Sequence, residues 1–414
     1  VSSALTTCLT QAANLERDLI ALGLHGEDPL GVSGVCDSLF EQWLHDLDMN
    51  IRRLVDRALS SDDLRPLDEC RRHSSSAEDV MEILIASSNT LQHADFPGST
   101  RISRRLLGIA DTALQRYVTG CVHSLGLQPR QPPLPELTYQ RPKVAVPLWS
   151  SEDMARYQRV SVSQLISLVA NVDFIHSRLV HLEQLHGVSA DDPRHVLDPA
   201  RKSLQAARQL LFTWVSAKIA WVDPAPSLLD GLYVPTVQSS RLSHVVKQDV
   251  RPHLVQIVKL PEESTTFALI SAIWTALLEV VERTLLHGGP SRVFTPGDAM
   301  LVMRDLEDME KTFAALAPWL ETQRELKWLQ DYVGSVMTER SEVLVAGYAA
   351  AANMHPTKTI SRFTIFHTLL HRVGEKGDRD RTASDFIKKQ LRDKSTMEVM
   401  ATLRRPREPP TTYS

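Results

Sequence analysis

The stretch that decides the fold is Phe267 to Leu286, FALISAIWTALLEVVERTLL. Phe267, Ile270, Trp274, Leu277, Leu278, Val281 and Leu285 recur at the spacing of one helical face. Leu269, Ile273, Ala276 and Val280 supply a second apolar face. A helix apolar nearly all round has to be covered on most sides. Its uncharged run ends at Leu278, where Glu279, Glu282 and Arg283 take over. That falls short of the roughly 20 apolar residues a membrane span needs. The stretch therefore reads as the central helix of a soluble bundle.

The bulk numbers agree with a helical chain. There are 414 residues, 43% hydrophobic and 23% charged, with aromatics at only 6%. The net charge of −4 leaves no strong nucleic-acid footprint at whole-chain level. Cys8, Cys36, Cys70 and Cys121 lie far apart without a CxxC pair, which speaks against a zinc module or a disulfide scaffold. They read as reduced thiols of a cytosolic protein. The opening at Val1 carries no signal-peptide pattern, and a piece of a longer chain is expected.

Outward from the opening stretch, periodicity predicts helices at about 3–23, 36–60, 77–93, 99–125, 152–186, 195–222, 239–258, 264–286, from Thr295 to about 316, then 321–346, 358–373 and 382–402. In the second of these, Leu39, Trp43, Leu47, Ile51, Leu54, Val55 and Ala58 form the expected buried stripe. Ser75-Ser76-Ala77-Glu78 has capping-box spacing and predicts the start of the third. Thr295-Pro296-Gly297-Asp298 reads as cap, first-turn proline and first-turn acid. Alternating β-branched runs are nearly absent, so no sheet is expected.

The clearest boundary is proline-rich. Pro129, Pro132, Pro133, Pro135, Pro142 and Pro147 make 127–151 an extended linker. Its PxxP spacings fit an SH3-type ligand; a stiff interdomain spacer explains them without a partner. The expected organisation is a bundle over 1–126, the linker, a second bundle over 152–350, and C-terminal helices with a disordered basic tail over 351–414.

Three patterns bear on chemistry. His367 and His371 in HTLLH share a helix face but lack the Glu of HExxH and a third ligand, and they read as two half-exposed histidines. Glu183 and His186 have the i, i+3 spacing of a di-iron pair, yet such a bundle needs two pairs and two further glutamates. Gly31-Val32-Ser33-Gly34 is not a nucleophile elbow, and no phosphate-binding glycine loop is present. No cofactor and no enzyme are expected.

Two basic clusters remain. Lys388, Lys389, Arg392 and Lys394 punctuate the last predicted helix, and Arg404, Arg405 and Arg407 follow. With Phe386, Ile387 and Leu391 between them, they are the candidate contacts for an anionic membrane surface or a partner. Asp385, Asp393 and Glu398 dilute the charge, and a solvated helix face is the competing reading. Arg101, Arg104 and Arg105 open another helix, where positive charge opposes the dipole and hints at a partner.

One block carries a family resemblance. Gln42 to Leu91 resembles the first Munc homology region of the Unc-thirteen proteins. The matching pieces are the tryptophan-bearing helix, Val55 to Asp62, and His73-Ser74-Ser75-Ser76-Ala77-Glu78-Asp79-Val80. Arg104 to Val118 fits the next helix, and Leu168 to Ile175 is similar to a further family segment. Ala272 to Phe313 resembles the second Munc homology region.

The resemblance implies a MUN domain, shared with the calcium-dependent activator protein for secretion: an all-α, elongated rod of stacked antiparallel helical bundles, related to vesicle-tethering complexes. It implies docking and priming of secretory vesicles, with syntaxin and synaptobrevin as SNARE partners, in the cytoplasm at the plasma membrane or vesicles. The family's Asn-x-x-Phe pair has no counterpart in Val1 to Ala12, so no syntaxin-contact residue carries over. A generic α-helical scaffold with other trafficking partners is the alternative.

Overall fold

The computed structural model describes residues 3–23, 31–90, 99–127, 132, 150–186, 196–234, 241–287, 292–350, 362–374 and 378–392. Local sequence sets where its helices begin. At Ser150-Ser-Glu-Asp153 and Ser161-Val-Ser-Gln164 the first hydroxyl accepts the third residue's backbone N–H, and that residue's side chain accepts the serine N–H in return. These reciprocal caps satisfy donors that helix starts leave open. They also split the single helix expected over 152–186 into α5 (Ser151–Arg159) and α6 (Val162–Leu185).

The other helices are α1 (Ser3–Ala21), α2 (Val32–Ser61), α3 (Ser75–Asn89), α4 (Ser99–Ser124), α7 (Asp198–Ala217), α8 (Leu242–Val245), α9 (Arg251–Ile257), α10 (Glu263–His287), α11 (Asp298–Leu316), α12 (Thr322–Tyr332), α13 (Ser341–Ala350), α14 (Arg362–Leu370) and α15 (Arg381–Arg392). Among the described residues no strand forms, and the fold is all-α as expected. A lone parallel bridge joins Phe294 to Arg372.

The chain divides into two compact units, one of Val1–Pro132, Leu148–Val215 and Lys259–Ala268, the other of Pro133–Pro147, Ser216–Val258 and Leu269–Ser414. The first unit thus draws on chain from both sides of the proline-rich stretch, most of which lies outside the described residues.

In the first unit α2 packs on α1, α3 and α4, while α3 and α4 also meet α6. Leu9, Ala13, Cys36, Phe40, Leu44, Ile102 and Leu106 share one apolar cluster. The buried side of α2 is Cys36, Phe40, Leu44, Ile51, Val55 and Ala58, whereas Leu39 and Leu54 are 41% and 38% exposed. The expected stripe was thus partly misplaced. Two nearly equivalent apolar faces compete on α2, and the positions of α1 and α4 choose between them. At Gly120 there is no room for a Cβ against Leu59, so the glycine lets α4 approach α2 closely.

In the second unit α11 is the hub, meeting α8, α9 and α12, and α13, α14 and α15 pack together. Trp274 lies edge-on to Phe313 with ring centroids 4.8 Å apart. Both rings are fully buried, as are Ile270, Leu277, Val281 and Leu285 of the opening stretch. Phe267, counted on that face, is instead 50% exposed. By length and hydropathy both α6 and α10 could cross a membrane, but most of each is buried inside the fold.

Four π-helical turns break the regular pattern: Lys218–Val222, Pro226–Asp230, Val246–Val250 and Val333–Met337. All belong to the second unit. Periodicity at 3.6 residues cannot announce them.

Candidate functional site

The motif residues behind the family resemblance meet in one place. Asp62 ends α2, and its carboxylate Oδ1 accepts the N–H of Leu64 at 2.9 Å, which sets a short turn with Leu64 at φ 55°. Its Oδ2 accepts the hydroxyls of Ser74 and Ser76. Ser74 precedes α3, but its hydroxyl is spent on Asp62 and caps nothing. Helix α3 thus starts two residues before the expected position and without the predicted box.

From α6, Asn171 completes the node. Its Oδ1 accepts the Ser74 N–H at 2.7 Å, and its Nδ2 donates to Ser74 Oγ at 2.8 Å and to the Tyr117 hydroxyl at 3.1 Å. Tyr117, from α4, lies 2.7 Å from Ser76 Oγ. Ser74, Ser76, Tyr117 and Asn171 are all at most 1% exposed. Burial holds the Tyr117 hydroxyl far above its usual range and the neighbouring Cys121 thiol at about 12. Both stay protonated. Beside the node His73 stacks on Phe174 at 3.9 Å, and burial lowers its pKa. With every hydroxyl of the node engaged, this arrangement fastens α2, α3, α4 and α6 together.

The second unit has a different polar centre. Arg292, 3% exposed, donates to the carbonyls of Leu232 at 2.7 Å, Leu229 at 2.5 Å and Leu228 at 3.3 Å. Arg372 donates to Met337 O at 2.8 Å and Val336 O at 3.2 Å. Each guanidinium caps the C-terminal end of a π turn. Their chain segments clasp through Phe294 N–H to His371 O at 2.8 Å and Val373 N–H to Phe294 O at 3.1 Å. Asp305, 2% exposed, accepts the Tyr233 hydroxyl at 3.1 Å and the Leu242 N–H at 3.2 Å.

The metal candidates have other roles. His371 is buried, not half-exposed as expected; its Nδ1 lies 2.9 Å from Arg292 O, and His367 Nδ1 lies 3.0 Å from Leu286 O. Glu183 forms an ion pair with Arg201. Burial lowers His186 to about 4. Among the described residues no three His, Cys, Asp or Glu side chains are placed to hold a metal ion. Asp173 is pushed up to about 6, chiefly by burial, against the pull of Thr265 and Arg208.

The Arg101 and Arg105 guanidiniums are matched by Asp37 and Glu41 of α2. These two cations thus already have partners on the neighbouring helix. Lys388, Lys389 and Arg392 are exposed on α15, with Lys388 3.9 Å from Asp385. Lys394, Arg404, Arg405 and Arg407 lie outside the described residues. Arg292, Arg372 and Asp305 were not singled out from sequence. The one available signal was the repeated Arg-Val in Ser291-Arg-Val-Phe294 and His371-Arg-Val-Gly374, a cation in a short apolar segment after a break.

Among the described residues the chain is an all-α packing of helices whose buried polar centres pair within the fold. The chain belongs to the family described as PATROL1-like, TPR repeats, whose model matches residues 157–392. It is also similar to protein unc-13 homolog of Arabidopsis thaliana, 23% identical over 348 residues. That match takes in 73% of this chain and 31% of the relative, so the chain spans about a third of that protein's length.

Proposed function

We propose that this chain is a non-enzymatic tethering and priming module of regulated exocytosis, built as a MUN domain, that binds syntaxin and synaptobrevin and promotes SNARE assembly. The observation that carries the reading is the similarity to protein unc-13 homolog over 73% of the chain. The convergence of Asp62, Ser74, Ser76 and Asn171, all in the Munc-like segments, supports it. Those residues explain the motif as a packing requirement, so the partner surface lies elsewhere. The proposal puts the chain in the cytoplasm, peripheral to a membrane, with Lys388, Lys389, Arg392, Lys394, Arg404, Arg405 and Arg407 as its basic contact.

The test is capture of the purified chain by immobilised syntaxin, synaptobrevin or the assembled SNARE complex. Saturable retention is expected, and retention by none of the three removes the SNARE reading. In parallel, charge reversal at Lys388, Lys389, Arg404 and Arg405 should weaken co-sedimentation with anionic vesicles. Equal sedimentation would leave those cations as a solvated face. The family's description, TPR repeats, favours a second reading, a helical adaptor for other trafficking proteins. Proximity labelling that returns a reproducible partner outside the SNARE set would select it.

A further inference from the structure

A groove of about 570 Å³ opens on the second unit between the π turn Val246–Val250, the start of α9, and the last turns of α11. It is lined by Lys247, Arg251, Asp308, Lys311, Thr312, Ala315 and Leu316. Its size is that of a small-ligand site. It is unlike either polar centre described above, because its charged groups face water.

Three cations share this groove. In the π turn the Arg251 N–H reaches back five residues to Val246 O. Lys247 and Arg251, four residues apart, hold neighbouring positions on one helical face. Both side chains are exposed, and neither makes an ion pair or side-chain hydrogen bond with any described residue. Lys311 faces them from α11. It is held only loosely, 3.9 Å from both Glu307 and Asp308, where a charge-assisted hydrogen bond spans roughly 2.7–2.9 Å. Asp308 offsets part of the charge and leaves the groove net positive. The Thr312 hydroxyl is tied to Asp308 O at 2.8 Å. Ala315 and Leu316 add apolar lining.

We propose that this groove binds a lipid headgroup ending in a phosphate monoester. A monoester carries about −1.5 to −2 charge near neutrality, which suits three converging cations diluted by one carboxylate. Arg251 supplies a planar fork for two phosphate oxygens, and the two lysines supply mobile point charges. The apolar lining favours a lipid over a free phosphate ester, since Ala315 and Leu316 meet the methylenes below the phosphate and would meet only water beside a soluble ester. The site is independent of SNARE binding and of the basic residues on α15.

The experiment uses the whole chain with phosphatidylcholine vesicles containing either phosphatidic acid or phosphatidylserine at equal total charge, read by co-flotation. Preference for phosphatidic acid is expected. Lys247→Ala should weaken that binding about 5-fold and the Lys247→Ala, Arg251→Ala pair about 25-fold. Ala315→Trp, which fills the groove and keeps every charge, should abolish the preference while helical circular dichroism is unchanged. Equal binding to both vesicles overturns the proposal, as does a preference that survives Ala315→Trp. Full displacement by soluble glycerol 3-phosphate at the affinity of the vesicles would assign the groove to a free ester and overturn the lipid. Loss on Lys388→Glu and Lys389→Glu with none on Lys247→Ala would move the site to α15.

Discussion

The two units solve one problem in opposite ways. At the polar node of the first, buried side chains satisfy one another: two serines, a tyrosine, an asparagine and one carboxylate at the meeting of α2, α3, α4 and α6. In the second, the buried groups in need are backbone carbonyls, and two arginines reach in to meet them. The difference follows from the helices. A regular helix satisfies its own backbone except at its ends, so only side chains remain to be paired. A π turn that stops inside the fold leaves carbonyls facing inward, and the negative end of the helix dipole lies there. A guanidinium, with five donors in a fixed fork, answers both needs. The contrast teaches that the two π turns ending at Asp230 and Met337 are each finished by a cation from elsewhere in the chain.

The largest loss should come from the apolar core of the second unit. Trp274→Ala removes a fully buried ring packed on Phe313 and should cost about 3–5 kcal/mol. Trp274→Phe should cost much less, because Trp274 Nε1 has no hydrogen-bond partner among the described residues and its removal offsets part of the lost area. Thermal unfolding of both variants checks the pair. A phenylalanine variant as damaged as the alanine one would mean that the indole N–H is satisfied in solution.

Next comes the clasp. Arg292→Leu leaves three buried carbonyls without their donor and should cost about 2–4 kcal/mol. Arg292→Lys should recover only part of this, since one ammonium cannot repeat the spread of the fork. The local readout is amide hydrogen exchange around Leu228–Leu232 and Val336–Met337. Faster exchange in the first segment with the second unmoved would show the two arginines acting separately. Equal acceleration in both would show the Phe294–Arg372 bridge joining them into one device.

How much of this was legible beforehand divides along the same line. The helical class, the burial of Trp274 and the helix starts near Ser3 and Ser99 follow from 3.6-residue periodicity, whereas the expected Thr295 cap did not form and α11 starts later, at Asp298 behind Gly297. The motif residues of the node stood out as a pattern, though the pattern did not say that Ser74 would give up capping α3 to bind Asp62. The clasp was not legible. Its acceptors are carbonyls, which every residue has, and π turns carry no residue signature that a period can register. Leu39 and Leu54 misled for another reason: two apolar faces on one helix are equivalent until its neighbours are known. The basic residues of α15 were legible as charges, but a charge run alone does not name what it meets.

In the first unit Asn171→Leu should cost about 1–3 kcal/mol, because it strands the Ser74 N–H and removes a donor from Tyr117. Asn171→Asp sharpens the comparison further. The added carboxylate would share a buried site with Asp62, so its loss should grow as pH rises and that carboxyl ionises. Urea midpoints at two pH values distinguish the variants. A pH-independent loss in Asn171→Asp would mean that the new carboxyl stays protonated, donating where the amide did.

The smallest effect concerns a titration that lies beside the node and has an opponent. Asp173 is held at about 6 by burial, against roughly 3.9 for a solvated aspartate. Between those values the folded chain binds the extra proton, so this group's contribution is present at low pH and is lost as pH rises through about 6. His186 is held at about 4, against roughly 6.5 in the unfolded chain. There the unfolded chain binds the extra proton, and stability is gained as pH rises through the same window. His73 and His176, also lowered by burial, lean the same way as His186. The carboxyl therefore masks part of the histidine slope. Asp173→Asn should remove the mask and steepen the gain in stability between acid and neutral pH by about 1–2 kcal/mol, discounted for partial exposure. Urea unfolding across that range measures it. An unchanged slope would mean that the Arg208 guanidinium, 3.2 Å away, keeps Asp173 ionised and outweighs its burial.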